Sequence, residues 1–144
     1  MSRIELILVP IDFGPHSQHA LEYAVGLAEQ LGAAVHVITA YELPIASFPD
    51  GVYVPSAEIA TRLIEASQAS LDKACAPFKN GKVKVTSHLE QGDPREVVLE
   101  LCKVMPVGLI VMCTHGRKGI ARALIGSVAE SVIRTSTVPV LTVH

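Results

Sequence analysis

The strongest constraint on this chain is a regular alternation between short apolar runs and longer segments of helical periodicity. Runs rich in aliphatic residues are typical of buried strands, and apolar residues three or four positions apart are typical of helices packed on a sheet. The alternation therefore favours a parallel sheet whose strands are joined by right-handed crossover helices. The runs that predict strands are Ile4–Ile11, Ala34–Tyr41, Val83–Glu90, Gly108–Cys113 and Val138–Val143.

Helices are predicted between these runs. Ser17–Leu31 has alanines and leucines at helical spacing and is followed by Gly32, a residue type that commonly ends a helix. Ser56–Ala76 is predicted as a long helix. Capping boxes, in which a small polar residue is followed three positions later by glutamate, predict two further helix starts at Asp93–Glu96 and Ser127–Glu130.

The composition agrees with a sheet that is covered on both faces. Hydrophobic residues make up 49% of the 144 residues, and the mean hydropathy is +0.40. Strands that are buried on both faces are apolar on both sides, which explains so high a value. The length fits one domain, so residues 1–144 are expected to form a single α/β domain. Five parallel strands can be wound 3-2-1-4-5 or 2-1-3-4-5, and both orders place a ligand crevice at a switch point beyond the strand carboxyl ends.

Charge, hydropathy and cysteine content argue against several classes of function. A net charge of -2 argues against a broad surface for nucleic-acid phosphates. No apolar run reaches the roughly 18 residues that a membrane span needs. The three cysteines, Cys75, Cys102 and Cys113, are odd in number and lack metal-ligand spacing, which favours reduced thiols in the cytoplasm. The histidines show no metal-ligand spacing either, so no metal site is assigned.

The segment between the fourth strand and the last helix is the candidate phosphate site. Gly116 and Gly119 allow left-handed turns and a close approach of the backbone to a ligand. Gly126 and Ser127 bring unbonded N–H groups and the positive end of a helix to one point, which attracts phosphate. Three cations lie in the same segment: Arg117, Lys118 and Arg122. An ordinary strand–helix loop with solvated charges explains the pattern equally well, because short glycine motifs are weak signals.

The same segment resembles a known family. Gly116, nine residues and then Gly126-Ser127 are similar to the later part of the ATP motif of universal stress proteins, G-x-x-G-x9-G-(S/T). The surrounding T-H-G-R, G-S-V-A-E and V-P-V-L resemble that family nearly residue for residue, as do the N-terminal V-P-I-D-F and the central Q-G-D-P. Cys113 stands where the motif has its first glycine, so its side chain is expected to narrow the site. Gly14 stands where the family often has serine.

The resemblance covers the whole chain and implies both a fold and a ligand. The implied fold is α/β: the three-layer, doubly wound, five-stranded parallel sheet of universal stress proteins (the adenine nucleotide alpha hydrolase-like fold), with strand order 3-2-1-4-5. The implied ligand is an adenine nucleotide, ATP or AMP, with Mg²⁺ as an optional companion ion. The implied role is that of a cytoplasmic stress-response regulator whose nucleotide-bound state is read by an unidentified regulatory protein.

The resemblance also implies roles for individual residues. Asp12 is expected to reach the ribose, the adenine edge or a metal-bound phosphate. Pro10, Ile11 and Ala40 are expected to offer backbone and apolar walls to adenine, and Met112 to pack on the ribose or the base. The remaining nucleotide contacts are expected from Cys113, His115, Gly116, Arg117, Lys118, Gly119, Gly126, Ser127 and Val128.

Simpler roles are open for several of these residues. Asp12 is also explained as a loop aspartate that caps the helix near Ser17. The apolar wall residues and Met112 are also explained by core packing. A histidine in such a turn more often bonds to nearby backbone than contacts a phosphate, so His115 is also explained in that way.

The sequence contains no recognisable catalytic set. It lacks a G-x-S-x-G elbow, a complete P-loop and suitably spaced acids, although slow ATP hydrolysis stays open. A response-regulator phosphoacceptor would need further acidic residues at strand ends, and a nucleotidyl transferase would need an H-x-G-H or S-G-G signature. Neither pattern is present. A nucleotide-free dimerisation module of the same fold is the remaining alternative.

Two segments are expected to form interaction surfaces. Val138–Val143 is apolar to its tip, and an uncovered sheet edge of this kind pairs readily with other chains. The family pairs this strand with the same strand of a second subunit, which implies a two-fold homodimer. Glu42–Pro55 has the proline and Asp-Gly content of a loop. Because the segment is also rich in apolar residues, a lid or a partner surface is as well supported as an unpacked loop.

Overall fold

Helices and strands alternate along the computed structural model, which describes residues 2–114 and 125–144. A small hairpin is inserted after the second strand. The elements in chain order are β1 (Leu6–Pro10), α1 (Pro15–Leu31), β2 (Ala34–Tyr41), β3 (Ala46–Phe48), β4 (Gly51–Tyr53), α2 (Ala57–Cys75), β5 (Val85–Gln91), α3 (Pro94–Val104), β6 (Leu109–Cys113), α4 (Ser127–Thr135) and β7 (Val140–Val143). None of the helices within the described ranges is long and apolar enough to cross a membrane.

Five of these strands form one parallel sheet in the order β5-β2-β1-β6-β7. Numbered along the sheet strands alone, this is the order 3-2-1-4-5, so the predicted fold class is confirmed and the alternative order is wrong. β1 lies at the centre, with Leu6 opposite Ala34 of β2 and Ile7 opposite Leu109 of β6. The winding direction reverses between β1 and β6, which makes this pair the switch point of the sheet.

Helices cover both faces of the sheet. Successive strand residues point to opposite faces, so neighbouring residues of β1 enter different apolar clusters. Ile7 lies in one cluster with Leu21 of α1 and Leu71 of α2. Leu8 lies in the other with Val98 of α3 and with residues of α4. The described residues therefore form three layers, and burial on both faces accounts for the high apolar content.

Strand starts differ slightly from the prediction. β1, β5 and β7 each begin two residues later than predicted, at Leu6, Val85 and Val140. Pro139 contributes to the late start of β7, because its nitrogen carries no hydrogen for a ladder bond. Its carbonyl nevertheless accepts the Ile110 N–H at 2.9 Å, so the chain is already aligned with β6 there.

The segment Glu42–Pro55 contains an antiparallel hairpin, which corrects the prediction of a loop. Ala46 pairs with Tyr53, and Phe48 pairs with Gly51 across the turn at residues 49–50. The loop prediction was wrong because strands of three residues are too short to show a strand period, and proline and Asp-Gly signals mark hairpin turns as well as loops. The exposed apolar side chains of this segment are Ile45, Phe48, Val52, Tyr53 and Val54.

The helix starts confirm one predicted cap and correct another. Asp93 is the N-cap of α3, and its carboxylate accepts the Arg95 N–H at 2.9 Å. At α4 the N-cap is Gly126, and Ser127 is the first helical residue, so the predicted Ser127–Glu130 capping box is wrong. Glycine is accepted at N-cap positions, and here it takes the extended backbone that this position requires.

Leu71 is the buried residue of α2 and is 0% exposed. Leu71→Ala is expected to lower the free energy of unfolding by about 2–5 kcal/mol, because it removes buried methyl groups and leaves a cavity. Ile59→Ala, on the same helix but 47% exposed, is the matched control and is expected to change it by less than about 1 kcal/mol. Urea denaturation measures both values. Equal losses of unfolding free energy in the two variants would contradict the conclusion that burial of Leu71 holds α2 against the sheet.

Candidate functional site

An open cleft lies at the carboxyl ends of β1, β2 and β6, between the sheet and the first turns of α3 and α4. It encloses about 670 Å³, including space that is continuous with solvent. The chain leaves β1 and β6 toward opposite faces of the sheet. Open α/β sheets bind their ligands at such switch points, so this cleft is the candidate site.

The cleft brings together those predicted site residues that the structure describes. They are Pro10, Ile11, Asp12, Ala40, Met112, Cys113, Gly126, Ser127 and Val128. The remaining predicted residues, His115, Gly116, Arg117, Lys118 and Gly119, lie outside the described residues. The lining also includes residues that the sequence did not single out, above all Ser17, Ile38 and Val98.

One half of the cleft is an apolar slot between the sheet and α3. Ile38 of β2 and Val98 of α3 are each 1% exposed, and Met112 of β6 is 4% exposed. Pro10 and Ala40 add further apolar surface at the ends of β1 and β2. Small-molecule sites are commonly lined in this way, with many apolar groups and a few polar groups that fix orientation.

The other half carries Asp12, which follows β1 in a tight turn. Its carboxylate Oδ1 accepts the Ser17 hydroxyl at 2.6 Å and the Gly14 N–H at 3.1 Å, while its own N–H donates to Ser17 Oγ at 3.1 Å. Phe13 has a φ of 68°, a left-handed conformation that a bulky residue adopts only under constraint. Asp12 therefore contacts Ser17, but the N-cap of α1 is Gly14 and no side chain caps it, so the alternative of a helix-capping Asp12 is wrong. Asp12 lines the wall of the cleft.

Cys113 ends β6 next to this turn. It is 8% exposed, and its Sγ lies 3.7 Å from Ser17 Oγ. A glycine here, as in the family motif, would have no side chain to make this contact. The side chain lines the cleft, as expected from its replacement of a motif glycine.

The start of α4 forms a further wall of the cleft. The Gly126 N–H donates to the Thr114 carbonyl at 2.6 Å, and the Thr114 N–H donates to the Val143 carbonyl at 3.2 Å. These bonds fix the first turn of α4 against the ends of β6 and β7. The N–H groups of Ser127 and Val128 have no acceptor within the helix, and the helix dipole adds positive potential at the same end. The arrangement suits an anionic group.

Residues 4–144 match the model of the universal stress protein family. The chain belongs to this family. Universal stress protein MJ0531 of Methanocaldococcus jannaschii is 32% identical over 138 residues, which cover 95% of this chain and 80% of that protein. Universal stress protein YxiE of Bacillus subtilis is 31% identical over 144 residues, which cover 96% and 97% of the two chains.

Solved structures of universal stress proteins share the fold. UspA from Lactobacillus plantarum has a TM-score of 0.83 at 20% identity, with both chains fully covered. A universal stress protein in complex with cAMP has a TM-score of 0.74 at 25% identity, with 99% of each chain covered. One from Archaeoglobus fulgidus in complex with dAMP has a TM-score of 0.67 at 20% identity, with both chains fully covered.

Thr114 and Ser17 are buried polar residues of the cleft in this universal stress protein that were not predicted as site residues. Ser17 is the one that bonds to Asp12. It precedes the buried positions Ala20, Leu21 and Ala24 of α1 at helical spacing, so its place on the inward face could be predicted. The signal that could have identified Ser17 is a serine on an otherwise apolar helix face. Its partner Cys113 is distant in the sequence, so their contact required the strand order to be known.

An exposed ion pair marks the start of α3, next to Pro94 in the cleft wall. The Arg95 guanidinium donates to Asp93 through Nε at 2.9 Å and through Nη2 at 2.5 Å. These side-chain hydrogen bonds, together with the helix N–H, lower the pKa of Asp93 from 3.8 to about 2. Within the described ranges, no group of three histidine, cysteine, aspartate or glutamate side chains is arranged to hold a metal ion.

The capping role of Asp93 predicts a pH dependence. Because its pKa is lower in the folded state than in the unfolded state, its contribution to stability is present above about pH 4 and is lost as the pH falls through about 2. Asp93→Ala is expected to lower the free energy of unfolding at pH 7 by about 1 kcal/mol, as is usual for an exposed N-cap. Urea denaturation between pH 7 and pH 2 should show the wild type and variant converging.

The control for this experiment is Glu22→Ala, which removes an exposed carboxylate of α1. It is expected to change the free energy of unfolding at pH 7 by less than about 0.5 kcal/mol. A difference between wild type and Asp93→Ala that stays constant down to pH 2 would contradict the proposed coupling.

Proposed function

We propose that this universal stress protein binds an adenine nucleotide, ATP or AMP, in the cleft, and that it is a cytoplasmic stress-response regulator without a dedicated reaction. One observation carries the proposal: an apolar slot, a carboxylate and a helix N-terminus line the same switch point. An adenine nucleotide presents one group for each of these surfaces: an aromatic ring, ribose hydroxyls and phosphates. The three parts of the ligand therefore have complementary surfaces along the cleft.

In the proposed complex, adenine lies in the apolar slot against Pro10 and Ala40, which are only partly buried, and burial of its faces there is favourable. The ribose lies beside Asp12, and the phosphates meet the N–H groups of Ser127 and Val128 at the start of α4. For a triphosphate, Mg²⁺ would be held mainly by phosphate oxygens. Among the described lining residues, Asp12 supplies the single carboxylate for such an ion. One protein carboxylate is a normal number for Mg²⁺ that is bound mainly through a nucleotide.

The complexes of universal stress proteins with cAMP and dAMP support the choice of an adenine nucleotide. Regulation would follow from ligand linkage: a nucleotide that binds the folded protein stabilises its bound conformation, which a protein partner can then recognise. The cytoplasmic location is supported by the cysteines, since no disulfide joins Cys75, Cys102 and Cys113, all of which lie in the described residues.

The nucleotide proposal predicts that the purified protein carries or binds an adenine nucleotide. Denaturing the protein and separating the supernatant by chromatography identifies any ligand, and calorimetry with ATP gives the Kd. Gly126→Val is expected to weaken ATP binding at least about tenfold, because a branched side chain at the N-cap crowds the phosphate position. Gly26→Val is the control, since a Cβ at Gly26 meets nothing within 4 Å.

Unchanged affinity in Gly126→Val would show that the start of α4 does not bind phosphate. The absence of both co-purified nucleotide and ATP binding by the wild type would contradict the proposal as a whole. That result would favour the alternative of a nucleotide-free dimerisation module, for which the replacement of a motif glycine by Cys113 is the specific argument.

We also propose a two-fold homodimer through the terminal segment Val138–Val143. β7 is an outer strand of the described sheet. The carbonyls of Pro139 and Val143 face β6, because they accept N–H groups from that side. By alternation, the N–H and carbonyl groups of Val140 and Thr142 point outward, where the same strand of a second copy can pair with them.

The homodimer proposal predicts sedimentation as a dimer at micromolar concentration. Thr142→Pro removes one outward N–H and is expected to shift the protein to a monomer, because proline cannot donate to the intersubunit ladder. Thr142→Val keeps the N–H and is expected to remain a dimer. A monomeric wild type, or a dimeric Thr142→Pro variant that is still folded, would contradict this pairing.

A further inference from the structure

Ser17 occupies a buried position in the first turn of α1, between the carboxyl ends of β1 and β6. It is 2% exposed. Its hydroxyl donates to Asp12 Oδ1 at 2.6 Å and accepts the Asp12 N–H at 3.1 Å. One hydroxyl thus holds both the backbone and the carboxylate of Asp12. A buried polar group bonded in this way restricts the rotation of the side chain that it binds.

Cys113 restricts Ser17 from the other side. Its Sγ lies 3.7 Å from Ser17 Oγ, and this contact joins residues that are 96 positions apart in the chain. The Ser17 hydroxyl therefore connects the ends of the two central strands at the point where the cleft begins. Replacing the motif glycine by cysteine adds a side chain that packs against the serine and limits its movement.

We propose that Ser17 is a positioning residue that fixes the orientation of the Asp12 carboxylate, so that one of its two oxygens faces the ligand. The hydrogen bonds that the described residues donate to this carboxylate go to Oδ1, from Ser17 and from the Gly14 N–H. Oδ2 accepts none from the described residues, so it is available to a donor in the cleft. The inference rests on the nucleotide-binding function proposed above, and the donor is then a ribose hydroxyl.

Ser17 acts through Asp12, so its effect depends on the presence of the carboxylate. Without the hydroxyl, the Asp12 side chain has one anchor instead of two and must be ordered when the ligand binds, which weakens binding. A hydrogen bond to a charged group typically changes an equilibrium by about tenfold or more. The selectivity for ribose hydroxyls should fall with it, because a rotating carboxylate meets them less often.

The test is a double-mutant cycle with ATP, 2′-deoxy-ATP and 3′-deoxy-ATP as probes, measured by calorimetry on the full chain. The variants are Ser17→Ala, Asp12→Ala, which removes the acceptor of the Ser17 hydroxyl, and the two together. Ser17→Ala is expected to weaken ATP binding about tenfold and to bring the Kd values for ATP and the deoxy analogues closer together. In the Asp12→Ala background, Ser17→Ala is expected to have no further effect on any of the three Kd values.

Three further variants separate positioning from a general loss of structure. Ser17→Thr keeps the hydroxyl and is expected to keep the preference for ATP over its deoxy analogues. Ser17→Cys keeps the side-chain volume but donates weakly, so it is expected to bind as weakly as Ser17→Ala. Ser70→Ala, on the exposed surface of α2, is the control for a serine far from the cleft and is expected to bind like the wild type.

Two outcomes overturn the inference while leaving the nucleotide site intact. One is wild-type affinity and selectivity in both Ser17→Ala and Ser17→Cys. The other is a loss from Ser17→Ala that is equally large with and without Asp12, because this would mean that Ser17 acts independently of the carboxylate. Failure of the wild type to bind ATP at all would overturn the proposed function first, and this inference with it.

Discussion

The pairing of β1 with β6 at the centre of the sheet determines where everything else lies. Ile7 opposite Leu109 and Leu8 opposite Ile110 join two strands that are far apart in the sequence and whose following helices cover opposite faces. Because the helices diverge there, they cannot cover the strand ends, and a cleft opens between them. The residues just after β1 and at the end of β6 form its wall as a direct consequence of this register.

The chemistry of the cleft follows from how polar groups at these strand ends are satisfied. Buried polar atoms need partners, and here they find them across the switch point rather than within one element. Ser17 of α1 bonds to Asp12 and contacts Cys113 of β6, while the start of α4 bonds to Thr114. The bonds that complete the fold therefore also arrange the groups proposed to meet a ligand.

Features that depend on periodicity could be predicted from the sequence. The strand runs and the helix over most of Pro15–Leu31 were recognisable because burial on both sheet faces leaves a continuous apolar pattern. The hairpin within Glu42–Pro55 was not predicted, because its strands are too short to show a strand period. The cap of α4 was misplaced by one residue, because Gly126 and Ser127 both satisfy an N-cap position and only the backbone path decides between them. The roles of Ser17 and Cys113 required a contact that no local pattern contains.

The arrangement around Asp12 fixes a carboxylate at the wall of the cleft before any ligand binds. A carboxylate fixed before binding loses little freedom on meeting its partner, so pre-organisation contributes to affinity for the ground state. Oδ1 of Asp12 accepts hydrogen bonds from Ser17 and from the Gly14 N–H, within a turn in which Phe13 has a φ of 68°. Leaving the carboxylate in place keeps these bonds and gives a fixed acceptor for a hydroxyl in the proposed complex.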